Sequence, residues 1–158
     1  MKIIKIIQMS DVSLKERRSG YPEAFRKSVQ GRKNARIGEC FGLSNFGVNY
    51  ASLPPGCASA LMHSHSEQDE FVYVIEGSAT LCTPSCETVL SAGMCAGFPK
   101  GGEAHQLVNK SDRPVLYLEI GDRSRPDTVS YPNDDLVAKL EAEGSYKFYH
   151  KNGDPYQG

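Results

Sequence analysis

The sequence predicts an all-β fold, a small antiparallel barrel, and three observations point there. From about Phe46 the chain breaks into short runs rich in Val, Ile, Tyr and Phe. Turn residues punctuate those runs roughly every eight to twelve positions, the rhythm of a sandwich or barrel. Only one stretch of the chain carries apolar residues at helical spacing.

The amino terminus, MKIIKIIQMS, is apolar but interrupted by Lys5, too short for a secretory core and without a small-residue cleavage site, so it reads as a first strand. Eight basic side chains follow within the first quarter of the chain: Lys15, Arg17, Arg18, Arg26, Lys27, Arg32, Lys33 and Arg36. They read as a solvated arm in preference to an anion or nucleic-acid contact. FGVNYASL is the next strand and stops at Pro54-Pro55-Gly56. EFVYVI and ATLC are separated by Glu76-Gly77-Ser78, Pro84-Ser85 turns the following hairpin, and Ala92-Gly93 and Pro99-Lys100-Gly101-Gly102 mark later turns. QLVN and PVLYLEI supply two more strands. NDDLVAKLEAE places Leu136, Val137 and Leu140 behind Asn133 or Asp134 as N-cap, which predicts one short carboxyl-terminal helix. The closing FYHKNGDPY turns at Asn152-Gly153 and is expected to dock on the barrel.

With 158 residues, no internal repeat and no Gly/Ser linker, residues 1–158 are expected to form a single domain. Its parts are an amino-terminal strand and arm (1–36), a barrel (37–121) and a docking extension (122–158). The 18 basic and 19 acidic side chains nearly cancel, which excludes the whole-domain field that drives non-specific nucleic-acid binding. No run approaches the roughly 18 apolar residues of a membrane span. The expected partner is a small molecule. Five cysteines without an export signal suit reduced thiols in the cytoplasm, and Cys82 and Cys86 read as two thiols flanking a turn, because no second pair has zinc-site spacing.

The chemistry gathers on four residues. His63 and His65 are two apart, so on a strand both rings leave the same face. Glu70 opens the next strand after a short polar connection, and His105 arrives from a separate strand after a glycine-rich turn. The chain has four histidines, and His150 alone falls elsewhere. Three neutral imidazoles and one carboxylate suit one divalent transition metal, whether zinc, iron, manganese, nickel or cobalt, and not a calcium or magnesium cage.

These residues carry a family resemblance. GCASALMHSHSEQDEFVYVIEG resembles the first cupin motif, with Gly56, His63, His65, Glu70 and Gly77 at its spacing. GMCAGFPKGGEAHQLVN resembles the second, with Gly93, Pro99, His105 and Asn109 in place; Gly102 fits its internal glycine better than Gly101. The resemblance implies a double-stranded β-helix, or jelly-roll barrel, whose metal is held by His63, His65, Glu70 and His105. The tail, VSYPNDDL and FYHKNGDPY, is similar to that of small bacterial cupins, some of which carry the label sugar-phosphate isomerase.

Alternation from Glu70 places Val72 and Val74 inside and Phe71, Tyr73 and Ile75 outside, so this strand is apolar on both faces. The outer face needs a cover, and a homodimer is the expected one. His105 and Leu107, and Ser59 and Leu61 with the two histidines, face inward by the same rule, which predicts a metal among mostly apolar neighbours. Candidate groups around it are Tyr50, Gln106, Tyr117, Glu119, Lys100 and Arg36, while Cys57 is expected to be buried as a small apolar side chain rather than reactive.

The expected function is a metal-dependent enzyme acting on a small oxygenated metabolite, a sugar phosphate or carboxylate, with isomerisation as the lead. An iron-dependent dioxygenase and a non-catalytic metabolite-sensing or metal-binding protein are the alternatives. A storage role is disfavoured by the full ligand set.

Overall fold

The apolar runs fold where their alternation directs them. In the structure, a computed structural model describing residues 4–157, the strands are β1 (Lys15–Glu16), β2 (Lys33–Ala35), β3 (Phe46–Leu53), β4 (Ser64–His65), β5 (Glu70–Glu76), β6 (Ser78–Cys82), β7 (Glu87–Ser91), β8 (Cys95–Phe98), β9 (Gln106–Val108), β10 (Val115–Asp122), β11 (Thr128–Tyr131), β12 (Leu136–Leu140) and β13 (Tyr146–Tyr149). One short α-helix, α1 (Ile37–Cys40), lies between β2 and β3.

One antiparallel sheet runs β1-β2-β3-β10-β5-β8. Facing it, β7-β6-β9 continues through isolated bridges at Ala58↔Val108 and His63↔His105 toward the sheet β4-β11-β12-β13. This is a jelly-roll arrangement of two antiparallel layers, and the fold class matches expectation. The layers enclose Ala51, Leu53, Val72, Val74, Leu107, Val115 and Tyr117, all buried. Gly77 turns β5 into β6 at φ +80, where a Cβ would stand 2.9 Å from the Pro114 carbonyl oxygen, so both backbone and space require glycine. Asn109, fully buried, clamps the β9–β10 connection by donating to the Leu53 and Arg113 carbonyls while Ser111 donates back to its oxygen. The asparagine of the second motif is therefore a turn clamp.

Three expectations are corrected. Leu136–Leu140 is a strand and not a helix. Leu136 and Ala138 are buried in alternation, and the segment is paired on both sides by β11 and β13, so tertiary pairing overrides a helical spacing that rested on few residues. Of the expected first strand, Met1–Ile3 lie outside the described residues; residues 4–8 form no strand, Ile4 and Ile6 are solvent-exposed, and the first strand among the described residues is β1. Nor are residues 1–36 simply a solvated arm. Tyr21 and Phe25 pack on a second core of Leu61, Val129, Tyr131, Leu136 and Ala138, and β2 adds to the edge of β3. Those aromatic anchors hold the basic segment against the barrel.

Candidate metal centre

The HxH segment joins the two halves of its layer. The His63 and His105 backbones exchange hydrogen bonds at 3.1 and 2.8 Å, which makes the two residues cross-strand neighbours with ring centroids 4.7 Å apart. His65, two residues on, pairs instead with Val129 of β11. Glu70 starts β5 in the opposite layer. Gly102 sharpens the turn that returns the chain to His105: a Cβ there would meet the Pro99 carbonyl oxygen at 2.7 Å, whereas at Gly101 it would meet nothing. That is the physical reason Gly102 suits the motif.

Three of the side chains converge on one atom of the fourth. The Nε2 atoms of His105, His63 and His65 lie 3.1, 3.3 and 3.6 Å from Glu70 Oε2. His63, Glu70 and His105 form the tight group, with ligand atoms all within 4.8 Å of one another, and His65 sits at its margin. Burial pushes the Glu70 carboxyl up, but hydrogen bonds from His105 and His63 and the charge on His63 and His65 outweigh it and hold the group well below the carboxylate range. Burial likewise opposes a charge on His63, yet its hydrogen bond and charge contact with Glu70 raise it.

The far edges of the rings decide what the near edges can do. His63 Nδ1 is 2.8 Å from the Leu61 carbonyl, and His65 Nδ1 is 2.7 Å from Asp127 Oδ2. Both partners accept, so each Nδ1 holds a proton, and when the ring is neutral it is Nε2 that offers its lone pair to a cation, which for His63 means giving up the proton shared with Glu70. His105 stacks flat on Phe98 at 3.5 Å, and its buried Nδ1 has no partner. Two imidazoles with Nδ1 engaged behind them and Nε2 turned toward an ionised carboxylate, with His105 beside them, fit a borderline divalent cation in donor type and number.

A space of about 70 Å³ beside this cluster is lined by His63, Glu70, His105, Val72, Arg32 and Glu119. Arg32 Nη2 donates to Glu119 Oε2 at 2.7 Å and its Nε to the Tyr117 hydroxyl at 3.0 Å, while Asn49 donates to the other Glu119 oxygen at 3.3 Å. Tyr117 is fully buried and its phenol is pushed up by that burial against the pull of Arg32. Outward of His63 and His65 lies a larger cavity of about 330 Å³. The expected apolar surroundings hold for Val72, Phe98 and Leu107, whereas the outer side sets four arginines beside apolar and aromatic walls such as Val129, Tyr131 and Phe148.

A cupin-domain family model matches residues 49–121. The sugar phosphate isomerase of the cupin superfamily from Silicibacter pomeroyi DSS-3 is 37% identical over 98% of both chains, with a TM-score of 0.88. The chain belongs to the cupin superfamily. A second cupin-like structure, from Acidithiobacillus ferrooxidans ATCC 23270 and named as a candidate sugar phosphate isomerase, is 28% identical with a TM-score of 0.71 over 80% of this chain and 81% of its own. The polyketide cyclase RemF from Streptomyces resistomycificus, at 20% identity and a TM-score of 0.63 over 78% of this chain and 82% of its own, shares the fold. No curated protein matches the sequence.

In this cupin the other candidates fall unevenly. Glu119, Tyr117 and Arg36 reach the two spaces or the groups that line them. Lys100 is at the surface with Glu67, Gln106 is spent on the Ala60 carbonyl, and Tyr50 shares the outer face of β3 with Val48, which Gly38 of α1 covers. His150 stacks on Tyr156 and contacts Asp135, pinning the tail. Cys57 packs against the core with its thiol donating to the Gln30 carbonyl, and all five cysteines are free.

Asp127, Tyr146 and Arg32 escaped the sequence reading. The side chain of Asp127 is entirely buried; besides His65 it accepts from the Tyr146 hydroxyl at 2.7 Å and the Glu67 amide at 3.0 Å. Burial pushes the Asp127 carboxyl up, and bonds from Tyr146, His65 and Glu67 more than reverse this. Asp122 is lowered in the same way, burial being outweighed by the Asp69 and Ser124 amides. A carboxyl lowered by folding stabilises above its unfolded pKa of about 3.9 and loses that stabilisation as pH falls toward the folded value. Thermal melts of chelator-treated protein should therefore drop below about pH 4 as these carboxylates protonate, and decline again as pH rises past about 6.5, where the raised His63 loses the proton that pairs it with Glu70. Asp122→Asn should flatten the acid limb, and an unchanged slope would contradict the assignment.

Proposed function

We propose that this cupin is a metal-dependent enzyme acting on a small oxygenated metabolite, with sugar-phosphate isomerisation as its reaction. In this reading His63, His65, Glu70 and His105 hold one divalent transition metal. The observation that carries it is the convergence of three imidazole Nε2 atoms on one Glu70 oxygen, two of them fixed in the ligating tautomer. The 37% identity to a protein named sugar phosphate isomerase supports the choice of reaction. A bound divalent ion would supply Lewis acidity, polarising a substrate carbonyl or hydroxyl oxygen.

The chain's own groups would do the rest. Isomerisation takes a proton from the carbon beside a carbonyl and returns one to the neighbouring carbon. Glu119 is the candidate for that transfer, because it lines the same small space as His63 and Glu70. Arg32 pairs with it and orients it, and Asn49 fixes its second oxygen. Residues 1–36 and 122–158 belong to the working unit in this proposal, since both contribute walls of the outer cavity.

The test pairs metal analysis with turnover. Protein purified without added metal should carry zinc, manganese, nickel, cobalt or iron, and a thermal-shift screen should find sugar phosphates that stabilise it and are then interconverted. Iron together with substrate-dependent oxygen uptake would replace this reading with a dioxygenase, and ligand binding without turnover would replace it with a sensor.

We also propose a cytoplasmic homodimer. Phe71, Tyr73 and Ile75 are each 38–39% exposed in a row on the outer face of β5. Leu118 and Ile120 of β10 sit in register beside Tyr73 and Phe71, so the apolar strip is two strands wide. A second copy would cover it. Sedimentation should report a dimer, and Tyr73→Lys with Ile75→Lys should give a folded monomer; a wild-type monomer would refute the assembly.

A further inference from the structure

We infer that the outer cavity is a phosphate-ester subsite, with Arg17, Arg18 and Arg36 as the anchor for the phosphoryl group and Asn34 as a receptor for a hydroxyl on the same molecule. The inference deepens the functional reading above and rests on it for the position of the metal.

The cavity of about 330 Å³ is lined by Arg17, Arg18, Arg32 and Arg36, and by no aspartate or glutamate. In a chain with one more acidic than basic side chain, four guanidinium groups around one hollow without a carboxylate are a concentration that composition does not explain. The four are not equivalent. Arg32 is committed to Glu119 and Tyr117 inside the barrel. Arg36 has only an exposed contact to Glu39 at 3.5 Å, of the kind worth little. Arg17 and Arg18 are exposed and have no acidic partner within ion-pair distance among the described residues. Three guanidinium groups therefore remain free to turn onto an incoming anion. Their forked donors match the several oxygens of a phosphoryl dianion better than the two of a single carboxylate.

The site points inward as well. Arg32, Ser59, Ala60 and His63 line both this cavity and the small space beside Glu70, so the two hollows are contiguous through the imidazole cluster. On the cavity wall, Asn34 Oδ1 is buried with no hydrogen-bond partner. An orphaned buried acceptor costs free energy in the unliganded protein and gives it back when a donor arrives. A phosphate oxygen cannot serve as that donor once ionised, whereas a hydroxyl can. The ligand that satisfies both features is a phosphorylated polyhydroxy compound, seated with its phosphoryl group outward under the arginines and its oxygenated carbons toward His63 and His65.

The test is titration calorimetry at constant chloride concentration, on full-length protein both chelator-treated and metal-loaded, with inorganic phosphate, a free pentose and a pentose phosphate. Wild type should bind inorganic phosphate in both metal states and the pentose phosphate more tightly than either part. Arg17→Ala/Arg18→Ala/Arg36→Ala, all surface positions, should keep its metal content and melting temperature yet weaken phosphate binding about tenfold or more. Asn34→Ala should weaken the pentose phosphate and leave inorganic phosphate unchanged. Wild-type phosphate affinity in the triple variant, or no phosphate binding by wild type in either metal state, would overturn the inference. Phosphate binding by a protein that takes up no metal would leave it standing and remove the metal-dependent reading instead.

Discussion

Replacing His63 and His105 together by alanine is expected to take the metal content from about one ion per chain to background, and activity with it. The two residues are the cross-strand pair at the centre of the cluster, each within 3.3 Å of Glu70 Oε2. Without them one imidazole and one carboxylate remain, from β4 and β5, and that is too few donors to compete with water for a borderline cation. The double variant has a second consequence. The Glu70 carboxylate, mostly buried, would keep only His65 as a partner, and an uncompensated buried charge costs about 3–5 kcal/mol when its partners are removed. The variant should therefore melt earlier even without metal, and Glu70→Gln added to it should restore part of the lost stability while leaving the metal absent. Plasma emission analysis of the purified proteins decides the matter: a double variant that retains a full complement of metal shows the ion to be held elsewhere.

How much of this was legible in the sequence follows from the range over which each feature is encoded. His63, His65 and Glu70 stand within eight consecutive positions, and a spacing of two on extended chain fixes a shared face whatever the rest of the fold does. The inward set Val72 and Val74 followed from the same parity, as did the outward set Phe71, Tyr73 and Ile75. Leu136–Leu140 failed for the converse reason. Its inward residues are Leu136 and Ala138, and alanine is too small and common to mark a buried face, so the strand alternation was hidden while Leu136, Val137 and Leu140 mimicked one side of a helix. Arg36 was among the candidate groups, but Arg32 looked like a member of a charged arm because nothing local to it names Glu119, which lies more than 80 positions away. Tyr21 and Phe25, aromatic residues among the arginines, were the available signal that this segment is anchored. Asp127 gave no signal of its own; only the requirement that a ligating imidazole have an acceptor behind it would have prompted a search for such a carboxylate.

Asp127 carries the other large expected effect. Asp127→Asn changes one atom, preserves size, and should weaken metal binding by about 10–100-fold while leaving the fold intact. The reason is that aspartate accepts along both edges here. Oδ2 takes the His65 Nδ1 proton and the Tyr146 hydroxyl, and Oδ1 takes the Glu67 amide, with Ser66 at 3.4 Å. Asparagine cannot reproduce this in either orientation. With its oxygen toward His65, its amino group meets the Glu67 N–H donor to donor. Turned the other way, it offers His65 a donor, the imidazole proton moves to Nε2, and the lone pair that faces Glu70 is lost. Either arrangement disturbs the ligand at the margin of the cluster, where the distance to Glu70 is already longest at 3.6 Å. A competition titration against a chelator of known affinity would measure the loss, and a cobalt-substituted sample would report the changed ligand field in its visible spectrum. Tyr146→Phe is the internal comparison, since it removes a donor to the same oxygen without altering the acceptor that His65 needs, and should cost far less. An Asp127→Asn protein whose metal affinity stays within about twofold of wild type would mean that the carboxyl-terminal extension packs beside the centre without setting the tautomer of His65.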